Sequence, residues 1–166
     1  MTAADLRGLP AFSEFPDHDL EVLVGICRVV SFPGGATIIE QGERGRAAYV
    51  LLEGEVEVER RLPGGTRTTL GALGRGAIFG SVALLDGGAR AASCLARTDV
   101  SVLELAGSDF QRLCEASTPL GARFLMVIAR QLVRDLRGTN HRIAELAGLA
   151  TLTPDDVASS VGGSLL

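Results

Sequence analysis

The chain has 166 residues, a length that fits one domain and leaves little room for two. Hydrophobic residues make up 46% of it and charged residues 22%, which excludes a wholly disordered protein. No apolar run approaches the ~18 residues of a membrane span, and the formal net charge of −4 disfavours a globally basic protein that binds nucleic acid.

The first predicted element is a helical segment over residues 6–27. Pro16 begins its main part, where four apolar residues recur at the spacing of one buried helix face: Leu20, Leu23, Val24 and Cys27. From Arg28 to Leu105 the hydrophobic period changes to two, and glycine and proline turn signals interrupt it at short intervals. This part is therefore predicted to form short antiparallel strands that close into a small barrel or jelly roll.

The clearest predicted strand covers Glu55–Glu59. Val56 and Val58 alternate with three glutamates, so the valines share one face and the carboxylates share the other. A metal site would need mixed ligands that converge from several elements, so we interpret the acidic face as solvated sheet surface. No metal site is predicted in this chain.

Two helices are predicted after the strands, a short one over residues 108–115 and a long one from Pro119 to about Leu146. A narrow apolar stripe runs along the long helix: Leu120, Phe124, Val127, Ile128, Leu132, Leu136, Ile143 and Leu146. Folding back onto the strands and pairing with a second copy both remain open, and the length of the stripe favours a homodimer. Residues 149–166 are predicted to form a short tail, with one helical turn that begins at Thr153.

The segment over residues 76–93 has the features of an anion site. Gly80 allows a tight turn after a predicted strand, and a short helix follows Ser81, whose first amide groups are unpaired and carry positive potential. Arg90 comes after a flexible glycine pair, so its guanidinium could return to the same place and bind a phosphate. The alternative for Arg90 is an ion pair with Asp86 or another carboxylate at an edge of the barrel.

Two short motifs in this segment resemble a known family. F-G-x-x-A-L-L (Phe79–Leu85), followed by R-A-A-S (Arg90–Ser93), is similar to the phosphate-binding cassette of cyclic nucleotide-binding domains. These domains occur in catabolite-activator-type regulators, protein kinase A regulatory subunits and cyclic-nucleotide-gated channels. The resemblance covers about residues 6–147.

The resemblance implies a mainly β fold with flanking helices. The expected architecture is an eight-stranded jelly-roll barrel with a short N-terminal helical segment and two C-terminal helices, the last one long. The domain is expected at residues 1–148, with the jelly roll at about 28–106 and the C-terminal helices at about 108–147.

The resemblance also implies roles for the residues of the cassette. Arg90 would pair with the cyclic phosphate of the ligand, and backbone amides at Val82 and Ala83 would add hydrogen bonds. Ala91 and Ala92 would line the pocket, and an alanine directly after the arginine favours cAMP over cGMP. The implied function is a non-catalytic regulatory module that senses a cyclic nucleotide.

One position departs from the family pattern. Most members have a glutamate directly after the glycine at Gly80, where it accepts a hydrogen bond from the ribose 2′-hydroxyl, whereas this chain has Ser81. Serine is shorter and uncharged, so the lost contact costs on the order of 1 to 3 kcal/mol of binding free energy. The alternative to a cAMP sensor is therefore a dimeric interaction scaffold with lost or altered specificity, for example for a cyclic dinucleotide.

Other function classes have less support in the sequence. His18 and His141 are interpreted as surface or capping groups and no catalytic motif is present, so no enzyme is predicted. Residues 152–164 resemble the first helix and turn of a helix-turn-helix, but no second helix follows, and DNA binding is not predicted. A truncated transcription regulator is a third alternative. The expected effector is another protein, reached through Leu84 and the C-terminal helices.

The cysteines and the N-terminus indicate the cellular setting. Cys27, Cys94 and Cys114 are odd in number, have no C-x-x-C spacing and lie beside apolar residues. They are therefore predicted to be buried free thiols rather than disulfides or metal ligands. The N-terminus lacks the apolar run of a signal peptide, so a cytoplasmic protein is expected.

Overall fold

Three short helical segments precede the strands in the computed structural model, which describes residues 1–116 and 118–150. They are α1 (Ala3–Arg7), one 3₁₀ turn (Pro10–Phe12) and α2 (Asp17–Ile26). Thr2 and Asp5 cap α1 reciprocally: the Thr2 hydroxyl accepts from the Asp5 amide, and the Asp5 carboxylate accepts from the Thr2 amide. Pro10 is the first residue of the 3₁₀ turn and Pro16 is the N-cap of α2, positions at which the missing amide donor of proline costs no helical hydrogen bond.

Eight strands form two antiparallel four-stranded sheets. In spatial order, the first sheet contains β1 (Arg28–Phe32), β8 (Val100–Ala106), β3 (Ala47–Glu53) and β6 (Ile78–Phe79). The second contains β2 (Thr37–Ile39), β7 (Ser93–Ala96), β4 (Val56–Arg61) and β5 (Arg67–Leu73). A helix of one turn, α3 (Val82–Leu85), lies between β6 and β7. The predicted eight-stranded jelly roll is confirmed.

The core lies between the two sheets and takes side chains from both. The first sheet contributes Leu51, Phe79, Val100 and Val102, and the second contributes Ile39, Val56, Cys94 and Ala96. The three cysteines are free thiols: Cys94 is buried, whereas Cys27 and Cys114 are half-buried. Burial raises the pKa of Cys94 to about 11 and that of Cys27 to about 12, so both thiols stay protonated at neutral pH.

The acidic face of β4, predicted as solvated surface, is half-buried and ion-paired. Arg97 of the loop after β7 contacts two of its carboxylates, with Nη1 3.2 Å from Glu55 Oε1 and Nε 3.0 Å from Glu57 Oε2. The third carboxylate, on Glu59, lies 3.5 Å from Nη1 of Arg67 on the neighbouring strand. Two arginines therefore pair with these three glutamates.

Two helices follow the sheets, α4 (Gly107–Glu115) and α5 (Pro119–Ala150). The chain divides into two compact units, of which the first ends at Ile128 and contains the beginning of α5. Within that unit Phe124 is buried, and its ring stacks on that of Phe12 at 6.3 Å and meets that of Phe110 edge-on at 6.2 Å. Leu120 and Ile128 are buried as well.

The predicted apolar stripe therefore has two parts, and its pairing with a second copy stays a prediction. Its first part packs into the core of the first unit, because the aromatic residues there provide apolar partners within the same chain. In the second unit, which begins at Ala129, α5 continues to Ala150 and exposes Val133, Leu136 and Ile143. The predicted helical turn at Thr153 lies outside the described residues.

In the described part of the chain, no helix combines the length and the apolarity that crossing a membrane requires.

Candidate functional site

The cassette begins with a tight turn at Gly80. Its φ is +75°, and a Cβ at this position would lie 2.8 Å from Nη1 of Arg90 and 2.9 Å from Cδ1 of Ile39. Glycine is thus required both by the left-handed backbone and by the closeness of the arginine. Ser81 follows, buried, and its carbonyl accepts hydrogen bonds from the amides of Leu84 and Leu85, both at 3.1 Å.

The Arg90 side chain points inward and is only 8% exposed. It donates one hydrogen bond from Nη1 to the carbonyl of Gly80 and another from Nη2 to the carbonyl of Ala47, the latter at 2.7 Å. The alternative ion pair with Asp86 is not formed, since that exposed carboxylate accepts from the amide of Gly88 at 2.8 Å. Burial lowers the pKa of the Arg90 guanidinium, and the nearby Glu43 acts in the opposite direction.

Backbone hydrogen bonds tie the loop before β3 to the end of the cassette. The Gly42 amide donates to the Arg90 carbonyl at 2.9 Å, and the Arg90 amide donates to the Glu43 carbonyl at 2.8 Å. Arg44 forms an isolated antiparallel bridge with Ala89. The loop and the cassette therefore form one structural unit around the guanidinium.

Close packing joins the same loop to α3 and to the start of α4. A Cβ at Gly45 would lie 2.5 Å from Cβ of Ala83, so a larger residue there would push the loop away from α3. The Gly107 amide donates to the Arg46 carbonyl at 2.8 Å, and a Cβ at Gly107 would lie 3.2 Å from Cδ2 of Leu84. Leu84, predicted to link the cassette to the C-terminal helices, thus lies against the first residue of α4.

A cavity of about 400 Å³ opens beside the guanidinium. Its lining consists of Ile38, Ile39, Glu43, Arg44, Arg46, Tyr49 and Arg90. Three arginines and one glutamate give the lining a net positive charge. The ring of Tyr49 stacks on that of Phe79 with 5.3 Å between their centroids. Burial raises the pKa of the Tyr49 hydroxyl, which therefore remains a neutral donor. The cavity is suited to an anion.

The predicted site residues occupy different environments. Arg90 lines the cavity and Gly80 accepts one of its hydrogen bonds. Ser81 and Ala83 are buried, Ala92 is half-buried, and Val82 and Ala91 are exposed.

Four polar residues of the lining were missed by the sequence reasoning: Glu43, Arg44, Arg46 and Tyr49. The sequence signal for these residues is Arg44-Gly45-Arg46, two arginines around a glycine directly before a strand. This pattern places two cations in a loop at a strand end. The sequence does not show which other loop it meets.

A second, larger cavity of about 630 Å³ lies among α2, α4 and the start of α5. Its charged groups are matched, because Arg123 pairs with the buried Asp19 and Arg112 pairs with Asp109. Within the described residues, no group of three or more histidine, cysteine or acidic side chains is arranged to hold a metal ion. The cavity at Arg90 is the one that contains a buried cation without an acidic partner among the described residues.

Comparison with known proteins agrees with the geometry of the cassette. A family model described as "Cyclic nucleotide-binding domain" matches residues 29–117, more than half of the chain. The chain is 31% identical over 127 residues to the Cyclic AMP receptor protein of Thermus thermophilus, a match that covers 76% of this chain and 59% of that protein. It is 36% identical over 113 residues to the cAMP-dependent protein kinase regulatory subunit of Aspergillus fumigatus, covering 68% of this chain and 27% of that subunit.

The fold is also similar to solved structures. The crystal structure of the Thermus thermophilus Catabolite Activator Protein superposes with a TM-score of 0.71 at 32% identity, covering 83% of this chain and 63% of that one. The chain therefore spans less than two thirds of the length of each of these three relatives. By its sequence match, its two-sheet fold and its cassette, the chain belongs to the cyclic nucleotide-binding domain family.

Proposed function

We propose that the chain is a non-catalytic regulatory module that binds a cyclic nucleotide at the Arg90 cavity and transmits binding to its C-terminal helices and a protein partner. The observation that carries the proposal is a guanidinium that is only 8% exposed and bonded to neutral carbonyls. Among the described residues no carboxylate pairs with it. A desolvated cation of this kind gains most from an anionic ligand.

The other cassette residues have supporting roles in this proposal. Gly80 keeps the turn open for the guanidinium, and the amides of Val82 and Ala83 follow directly after it. Ala91, directly after the arginine, carries no hydroxyl group, which favours the adenine of cAMP over guanine by the family resemblance. Ser81 replaces the glutamate that contacts the ribose in most family members. We therefore expect this chain to bind the ligand more weakly than members that have the glutamate.

Transmission is proposed to run through Leu84. Its side chain lies against Gly107, the first residue of α4, so a shift of α3 toward a bound phosphate changes the packing at the start of the C-terminal helices. The ligand moves this equilibrium only as far as its affinities for the two states differ. The names of the two regulators reported above support a regulatory output over a catalytic one.

The binding proposal is tested by thermal unfolding with excess cAMP, cGMP, cyclic di-AMP and cyclic di-GMP. A ligand at a hundred times its Kd adds about 2.7 kcal/mol to the free energy of unfolding, and we expect cAMP to stabilise the chain more than cGMP does. Ser81→Glu is expected to increase the response to cAMP. If no nucleotide shifts the transition of the unmodified chain but cAMP shifts that of the variant, the pocket is degenerate and the scaffold alternative holds.

We also infer that the second unit pairs with a second copy of the chain. Its exposed apolar residues follow a heptad pattern, with Val133 at an a position and Leu136 and Ile143 at d positions, exposed by 46%, 60% and 59%. Asn140 falls at the next a position and is exposed. An asparagine at one a position is typical of two-stranded coiled coils, in which it fixes the register.

Carboxylates introduced among these exposed apolar residues are expected to prevent the two copies from pairing. Leu136→Glu combined with Ile143→Glu puts charged groups where apolar side chains must pack, so the mass measured by light scattering should fall from that of two chains to 17.3 kDa. Gly138→Glu is the matched control, since position 138 is an f position and nothing lies within 4 Å of a Cβ there. A wild-type chain that is monomeric at high concentration would refute the pairing.

A further inference from the structure

The structure assigns a second anion subsite to Arg44 and Arg46, next to Arg90, so that the ligand of this cavity carries two phosphate groups. This inference rests on the proposed function, because it takes Arg90 as the site of the first phosphate. It adds the class of ligand that the cavity prefers: nucleotides with two phosphate groups, which we expect to bind more tightly than cAMP.

The charges in the cavity lining support two anionic groups. The lining contains three arginines, Arg44, Arg46 and Arg90, and one acidic residue, Glu43, so it has a net charge of +2. One cyclic phosphate has a single negative charge and leaves this excess half neutralised. Two phosphodiesters match it. Ser81 acts in the same direction, because a glutamate there would add a negative charge that repels a second phosphate.

Arginines without an acidic partner are concentrated at this cavity. In the first unit, seven arginines form ion pairs with carboxylates: Arg7, Arg28, Arg61, Arg67, Arg97, Arg112 and Arg123. Within the described residues of that unit the remaining five have no such pair, and three of these five line the cavity: Arg44, Arg46 and Arg90. A surface arginine usually finds a carboxylate in this acidic chain, so the clustering indicates a binding site rather than solubility.

The backbone at both positions is held in place before any ligand arrives. Arg44 is bridged to Ala89, and the carbonyl of Arg46 accepts the amide of Gly107 at 2.8 Å. Between them, Gly45 lies so close to Ala83 that the loop follows the cassette. The side chains of Arg44 and Arg46 are exposed, but their backbone is held in place beside the buried guanidinium of Arg90. This lowers the entropic cost of closing on a second phosphate.

Two sources of the second phosphate share this chemistry. A cyclic dinucleotide carries two phosphodiesters, which together match the charge of the lining, whereas a nucleoside bisphosphate carries two phosphomonoesters on one ribose, with a total charge of about −3 to −4. The cavity of about 400 Å³ is within the size range of small-molecule sites and accepts the phosphate-bearing part of either ligand.

The test is calorimetric titration of the full chain with cAMP, adenosine 3′,5′-bisphosphate, cyclic di-AMP and cyclic di-GMP. We expect at least one ligand with two phosphates to bind roughly tenfold or more tightly than cAMP, since Arg44 and Arg46 add charge-assisted contacts to the second phosphate. The double variant Arg44→Gln, Arg46→Gln should abolish this advantage, lowering the affinity for that ligand at least about tenfold more than the affinity for cAMP. Comparing the affinities for the cyclic dinucleotides with that for the bisphosphate shows which kind of ligand supplies the second phosphate.

Arg60→Gln is the control for loss of charge, because Arg60 is exposed, has no ion pair among the described residues and does not line the cavity. It should leave all affinities unchanged. The second subsite is refuted, with the proposed function intact, if cAMP binds as tightly as every ligand with two phosphates. It is refuted equally if the double variant weakens cAMP as strongly as the others. If the folded chain binds none of the four ligands, both proposals are refuted.

Discussion

Replacing Arg90 with glutamine is expected to lower the affinity for cyclic nucleotides by about 100-fold or more. Glutamine keeps amide donors but loses the charge, and it is too short to bond the carbonyls of Gly80 and Ala47 while reaching a phosphate. Losing two charge-assisted hydrogen bonds to phosphate, each worth about 1.5 to 3 kcal/mol, accounts for a factor of this size. Calorimetric titration of the purified variant with cAMP measures it.

Two further variants separate a binding role from a structural one. Arg90→Lys keeps the charge but loses the planar fork, so we expect intermediate affinity with the fold retained. Arg75→Gln removes an exposed arginine that donates to the Leu52 carbonyl outside the cavity and should leave binding unchanged. Circular dichroism verifies that each variant is folded. A folded Arg90→Gln chain that binds cAMP within about threefold of the wild type would exclude phosphate recognition by this residue.

Gly54→Ala is expected to cost about 3 kcal/mol or more of the free energy of unfolding. Gly54 has a φ of +87°, which costs an alanine about 1 to 2 kcal/mol. The new Cβ would also overlap the carbonyl oxygen of Asp99 and lie 2.7 Å from Cγ1 of Val100 and 2.9 Å from Oγ1 of Thr98. The turn before β8 must therefore shift, and that strand pairs with both β1 and β3.

Gly64 serves as a control for Gly54, because comparing the two variants isolates the contribution of the close contact to the loss of stability. Gly64 has a similar φ of +96°, but nothing lies within 4 Å of a Cβ at this position. Gly64→Ala should therefore lose only the conformational term of about 1 to 2 kcal/mol. Urea unfolding of both variants measures the difference. Equal losses would show that the close approach to Asp99 does not matter for stability.

The predicted site was partly recoverable from sequence because some of its features are local. A glycine that tolerates a left-handed φ and a short helix after it are encoded by neighbouring residues, and the motif that contains Arg90 has a fixed spacing from them. Of the groups around Arg90, only the Gly80 carbonyl comes from the same motif. Ala47, whose carbonyl it bonds, and the arginines at positions 44 and 46 lie more than forty residues earlier in the chain.

The long helix shows the same limit in another way. Its apolar residues follow a helical period throughout, so the sequence predicts one stripe. Periodicity gives the face on which a side chain lies but not whether that face is covered within the same chain. Phe124 is covered by aromatic rings of the first unit, whereas Leu136 of the second unit is exposed.

The sequence by itself determined the order of helices, strands and turns, the cassette motif and the free thiols, because hydrophobic period and turn chemistry act over a few residues. Tertiary structure alone decided which loop meets the cassette, and with it the three-arginine cavity and the burial of Arg90. The physical reason is that antiparallel pairing joins segments far apart in the chain. The field at a site is the sum over all the charges that folding brings together.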